Sequence, residues 1–221
     1  MSDVPSFAEL CAAPDASIDL LALAIAREFR NVDAGRALAM LDALAAELAM
    51  SAAETSGRPK ELTLACGRLL GGRHGFEGDR QHYDAPENSM LDRVLATRRG
   101  LPILLSVVYI EVARRVEIPL AGVGLPGHFV VAHFGANPPL LLDPFDSGRL
   151  VSAPVPDDAL RPWGTHEIAM RMLNNLVASY QRRANLTDAI RAAGMRLSLP
   201  AEASLRTTLR AELRALQARL N

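Results

Sequence analysis

The sequence predicts an α+β fold, with helices at both ends of the chain and a small antiparallel sheet between them. Three observations predict it. Apolar residues recur at helical spacing over residues 17–50 and again beyond Pro156. The run from Ile103 to Val116 is apolar around almost its whole circumference, as in a helix buried on most sides. From Leu120 to Leu142 the apolar residues fall into short strand-like segments separated by turn residues.

At the N-terminal end, Ser17 is a candidate N-cap before Ile18, Leu21, Leu23 and Ile25. Asn31-Val32-Asp33 breaks the run, and Leu38, Leu41, Leu44 and Leu48 then mark a second helix. A polar link, Ser51 to Lys60, leads to a short helix holding Leu62, Leu64, Leu69 and Leu70. The glycine-rich stretch over residues 71–82 follows, and its glycines suggest unusual backbone angles. It lacks the Gly-Lys-Ser/Thr ending of a phosphate-binding loop and no apolar strand precedes it, so it reads as a structural or binding loop.

Ser89 and Asp92 resemble a weak capping pair for a helix through Arg98, and Gly100 is a natural stop. Pro102 stands where a first-turn proline is favoured, because the missing N–H would be unpaired there anyway. Arg114 and Arg115 suit the C-terminal dipole of the buried helix. Strands are expected over Leu120–Gly124, His128–Phe134 and Leu140–Leu142, with Gly135–Pro139 as a hairpin turn. Beyond Pro156, Met172, Leu173, Leu176, Val177 and Tyr180 form one helical stripe, and Leu205, Leu209, Leu213, Leu216 and Leu220 another. The expected regions are 1–80 (helical), 81–160 (α+β core) and 161–221 (helical), all within one compact unit.

Composition narrows the functional classes. Of 221 residues, 49% are apolar and 22% charged, which suits a globular chain. A net charge of −1 provides no global field toward nucleic acid or an acidic membrane, so neither partner is expected. Lys60 is the only lysine, so nearly all cations are arginines; coding bias explains this more readily than anion recognition. Two cysteines, Cys11 and Cys66, argue against a disulfide-stapled secreted domain, and MSDVPSFAEL does not read as a signal peptide. No apolar run reaches bilayer length, and the expected location is the cytoplasm. No zinc-like cluster of Cys and His is present, and no metal or cofactor is expected.

Several motifs line up in one order: Tyr83, Asn88-Ser89, Arg98-Arg99-Gly100-Leu101-Pro102-Ile103, Ile118-Pro119, Pro126-Gly127-His128-Phe129 and Asp143-Pro144-Phe145. Over roughly residues 17–185 the chain resembles the transglutaminase-like superfamily, and within it the SirB-type family. The resemblance implies a papain-like core in which a helix-start Cys, a strand His and a strand Asp cooperate. His128 and Asp143 match the second and third positions. Tyr83, Asn88, Arg98, Arg99 and Phe129 match signature positions and are candidates for ligand contact beside them. The cysteine position, counted from either flank, is Pro102. Proline carries no nucleophile and removes a backbone donor, so a Cys-His-Asp mechanism fails on chemistry.

Other nucleophiles fare poorly. Ser106 lies about 6 Å along the helix axis from Pro102 and is expected to be buried, its hydroxyl satisfied by a backbone carbonyl. Cys66 reads as a small buried hydrophobe. His133, five residues from His128, points to the opposite strand face. His74, His82 and His166 read as solvated. The His128–Asp143 pair has two readings: a polar pocket that binds a ligand or moves a proton, or a hydrogen bond that only fixes two strands.

Leu176, Tyr180, Ala189 and Pro200 are spaced nearly as in one tetratricopeptide repeat, and the SirB-type family is similar in carrying helical repeat-like segments after its core. A helical hairpin packed on the core and capped by a helix over residues 200–220 is the preferred reading. The alternative is a groove for a partner protein or peptide. Three functions follow in order: a non-catalytic binding or regulatory module with a small-ligand pocket; an amide hydrolase or acyl transferase working through a water or unusual nucleophile; and a scaffold with a purely structural His-Asp pair.

Overall fold

The computed structural model describes residues 4–152, 155–156 and 159–220. A capping box starts helix α1 (Phe7–Ala12): Glu9 N–H donates to Ser6 Oγ, and Ser6 N–H donates to the Glu9 carboxylate. Helices α2 (Ile18–Arg27) and α3 (Ala34–Ala53) meet at the expected break, where Arg36 N–H donates to Asp33 Oδ1 at 2.9 Å. Ser17 occupies the N-cap position of α2, but its hydroxyl donates to Asp19 Oδ1 instead of accepting a helix N–H.

Helix α4 (Pro59–Cys66) runs on into a π-helical turn, Gly67–Arg73. The first part of the glycine-rich stretch is therefore wound rather than looped. Gly75 takes the expected unusual backbone angle, with φ of +69°, whereas Gly67 and Gly71 act through close approach. A Cβ at Gly67 or Gly71 would overlap the backbone of the Ser147–Gly148 turn. Strand β1 (Glu77–Gly78) then pairs in parallel with β2 (Arg99–Gly100), a contact absent from the sequence reading. Helix α5 (Leu91–Thr97) starts after Met90, with Ser89 in a preceding 3₁₀ turn, so the expected Ser89 cap is not formed. Arg98 closes α5 in the left-handed conformation, with φ of 60°.

Helix α6 (Pro102–Arg114) is the centre of the molecule. Of its 13 residues only Ile110 and Arg114 are not buried, in line with its unbroken apolar circumference. Strands β3 (Leu120–Leu125), β4 (His128–His133), β5 (Leu140–Asp143) and β6 (Arg149–Leu150) form an antiparallel meander. Phe129, Val131 and Leu142 join the main core around α6, whereas Val123, Val130, Ala132 and Leu141 form a second cluster. That split is the two-residue period of a strand. Helices α7 (Thr165–Arg182), α8 (Leu186–Met195) and α9 (Ala203–Ala218) complete the described chain. Leu176, Tyr180 and Ala189 are buried in the main core.

One charged network enters this apolar interior. Arg115 Nη2 lies 2.6 Å from Asp19, its Nε 2.7 Å from Asp42 and its Nη1 2.8 Å from Glu111, an α6 residue that is almost completely buried. Arg114 reaches the same Glu111 oxygen from the surface at 2.8 Å. The network ties α2 and α3 to the end of α6. No helix among the described residues is long and apolar enough to cross a membrane.

Candidate functional site

The site is built on one tight turn and one strand end. Leu125 pairs with His128 across a two-residue loop, Pro126-Gly127. Proline supplies the preset φ and Gly127, with φ of +69°, the left-handed one. His128 is thereby fixed as the first residue of β4. At the far end of β5, Pro144 stops the strand and Asp143 turns its carboxylate back on the chain. Phe145 N–H donates to Asp143 Oδ1 at 2.9 Å, and Asp146 N–H at 3.4 Å. The other oxygen, Oδ2, lies 2.8 Å from His128 Nε2.

Both carboxylate oxygens are thus engaged, and the His128 ring is oriented through Nε2. Its Nδ1 makes no hydrogen bond among the described residues. The side chains of His128 and Asp143 are 31% and 22% exposed, so the pair is open to solvent but not free in it. The Phe145 ring stands edge-on to His128, with centroids 6.1 Å apart. It packs against the backbone of Gly78, where a Cβ would overlap the ring. Tyr83 sits edge-on to Phe145 at 6.0 Å, and the Arg80 guanidinium lies 4.9 Å from the same ring centroid.

The remaining expected residues divide. Tyr83 is exposed and belongs to this cluster. Asn88 is buried and braces the loop before α5, donating to the His82 carbonyl at 2.7 Å and to Asp79 at 3.2 Å. Its carbonyl accepts Leu101 N–H, which connects that loop to the start of α6. Arg98 and Arg99 clamp the carbonyls of His74 and Gly75, and Arg99 pairs with Glu77 at 2.6 Å. Phe129 is 1% exposed and packs edge-on against Trp163 at 5.4 Å, inside the core. Pro102 is the first residue of α6 and is buried.

Neither cysteine supplies an accessible thiol. Burial pushes Cys66 up to about 12 and Cys11 up to about 11, against an ordinary thiol value of 9.0. The buried Ser106 hydroxyl has no hydrogen-bond partner among the described residues, so the expected carbonyl contact is not formed. His133 is buried with the core-facing residues of β4 and accepts Gly135 N–H at Nδ1; burial lowers its pKa. His82 is well exposed. His74, expected in solvent, instead lies 3.0 Å from Glu47, and His166 has a buried Nε2 without a partner among the described residues.

One residue escaped the sequence reading altogether. Arg171 of α7 donates from Nη2 to the His128 carbonyl at 2.8 Å. No spacing rule links residues 43 positions apart. A cavity of about 1050 Å³ opens elsewhere, between the α2–α3 corner and α5, and none of the expected site residues lines it.

The transglutaminase-like superfamily profile matches residues 35–187, which include α6, the sheet and the His128–Asp143 pair. The chain belongs to this superfamily. Relatives of the transglutaminase-like chain include a UPF0162 protein of Xylella fastidiosa (strain 9a5c), 34% identical over 217 residues, or 89% of this chain and 77% of the relative. A UPF0162 protein of Vibrio cholerae is 33% identical over 86 residues, covering 38% of this chain and 32% of its own. A stretch of 71 residues is 37% identical to F-box only protein 21 of Mus musculus, covering 32% of this chain and 11% of that protein. No solved structure matches the chain.

Proposed function

We propose that this transglutaminase-like chain, of SirB type, is a non-catalytic binding or regulatory protein that uses the His128–Asp143 region as a ligand pocket. The observation that carries the reading is Pro102 at the first position of α6. A helix N-terminus lowers a thiol pKa there, and proline offers no thiol to lower. The two cysteines present are buried, with raised pKa values, so neither replaces it. The oriented ring of His128, its Nδ1 without a hydrogen bond among the described residues and the neighbouring Tyr83 and Phe145 suit a small ligand. Asn88 braces the loop that leads to Tyr83, and Arg98 and Arg99 fasten the 74–75 segment.

A second reading is favoured by the same Nδ1. With Nε2 held by Asp143, it is placed to take a proton from water, which suits an amide hydrolase. A peptide partner on the repeat-like helices α7–α9 belongs to the binding reading. Affinity capture from a bacterial lysate tests that reading, with wild type beside the His128→Ala/Asp143→Asn double variant. Selective retention of a molecule by the wild type supports the pocket; identical retention by both removes it.

A further inference from the structure

Arg171 carries a charge beside the pair that no carboxylate among the described residues compensates. Its guanidinium has five N–H donors, of which the contact to the His128 carbonyl uses one. It has no carboxylate partner among the described residues. The rings of Phe129 and Trp163 flank it, with centroids 5.4 and 5.6 Å away. Burial depresses its pKa, partly offset by Tyr83. A half-buried cation held by a carbonyl and two rings thus has no counter-ion among the described residues, at a place where desolvation makes one valuable.

We propose that Arg171 anchors the carboxylate of a ligand in the His128–Asp143 pocket. The inference rests on the binding function proposed above. A planar carboxylate matches the guanidinium fork. A doubly charged phosphate fits less well, because Asp143 stands beside the site and Arg80 is already drawn toward Asp146. Tyr83 and Phe145 offer aromatic surface to the ligand's apolar part, and His128 Nδ1 offers a second polar contact. The ligand class is therefore a small monocarboxylate with an apolar body, or a peptide presenting its own terminal carboxylate.

The test titrates the protein with 3-phenylpropionate and with 3-phenylpropionamide, read at the His128 ring by NMR. The expected result is that the acid binds at least about tenfold tighter than the amide, the scale of a charge-assisted pair. Arg171→Met should abolish that preference, and Arg171→Lys should keep part of it. If the Met variant does not fold, a weakened preference in the Lys variant carries the result. Equal affinity of acid and amide overturns the inference and leaves the pocket standing, as does a preference that survives in a folded Arg171→Met. Failure of both probes to perturb His128 overturns the inference and the pocket together.

Discussion

His128 Nε2 lies 2.8 Å from Asp143 Oδ2, while Asp143 Oδ1 accepts the backbone N–H of Phe145. One carboxylate therefore orients an imidazole and also caps the turn that follows β5. The two jobs separate on mutation. Asp143→Ala should cost about 1–2 kcal/mol, because it removes a cap as well as the ring contact. His128→Ala should cost about 1 kcal/mol or less, because the ring is partly solvated. Urea midpoints of the two variants check the order.

The thiols make the protein sensitive to alkali. Folding raises the Cys66 pKa from 9.0 to about 12 and that of Cys11 to about 11. A raised thiol pKa stabilises the fold fully below the unfolded value and loses that contribution as pH climbs toward the folded one. Stability should therefore fall from pH 9.0 upward, by about 1.4 kcal/mol per pH unit for each such group. Denaturation curves across this window should show a shallower fall in Cys66→Ala. Neither thiol should react with a maleimide at neutral pH until the protein unfolds.

The glycines of the π-helical turn are not equivalent. A Cβ at Gly71 would overlap the Ser147 carbonyl, whereas one at Gly72 meets nothing within 4 Å. Gly71→Ala should destabilise by about 2–3 kcal/mol and disturb the turn after Asp143. Gly72→Ala should be neutral, or stabilising by up to about 1 kcal/mol. Thermal melts of the pair provide the comparison.

These glycines also show what the sequence could and could not disclose. The start of α6 was legible, because Gly100 and Pro102 act locally. Strands β3, β4 and β5 and the Gly135–Pro139 turn were legible, whereas the two-residue strands β1, β2 and β6 are too short to show a period. The burial of α6 followed from its all-round apolarity. The Gly71 constraint was not legible, since its partner is Ser147, far along the chain. Ser17 shows a local failure: its hydroxyl had two nearby choices, and it chose Asp19 over the helix N–H. In the site, the resemblance to the transglutaminase-like motifs pointed to His128 and Asp143, and Tyr83 stands beside them. Arg171 stayed hidden because only the packing of α7 on the turn before β4 brings it to His128. Arg98 and Arg99 are candidate ligand contacts by the resemblance, and each also hydrogen-bonds a backbone carbonyl of the 74–75 segment, which no local pattern discloses.

Arg115 holds three carboxylates together, two of them buried. Arg115→Ala should cost about 3–5 kcal/mol, because Asp19 and Glu111 would lose their buried counter-charge. Arg114 is more than half exposed and shares Glu111 with Arg115, so Arg114→Ala should cost about 1 kcal/mol or less. Guanidinium unfolding of both variants measures the contrast.

Release of ammonia or amine from glutamine and peptide amides bears on the central claim most directly, measured for wild type beside His128→Ala. With Pro102 at the helix start and both thiols buried, release by the wild type should equal that by the variant and by buffer alone. Turnover by the wild type that disappears in His128→Ala would contradict a non-catalytic role.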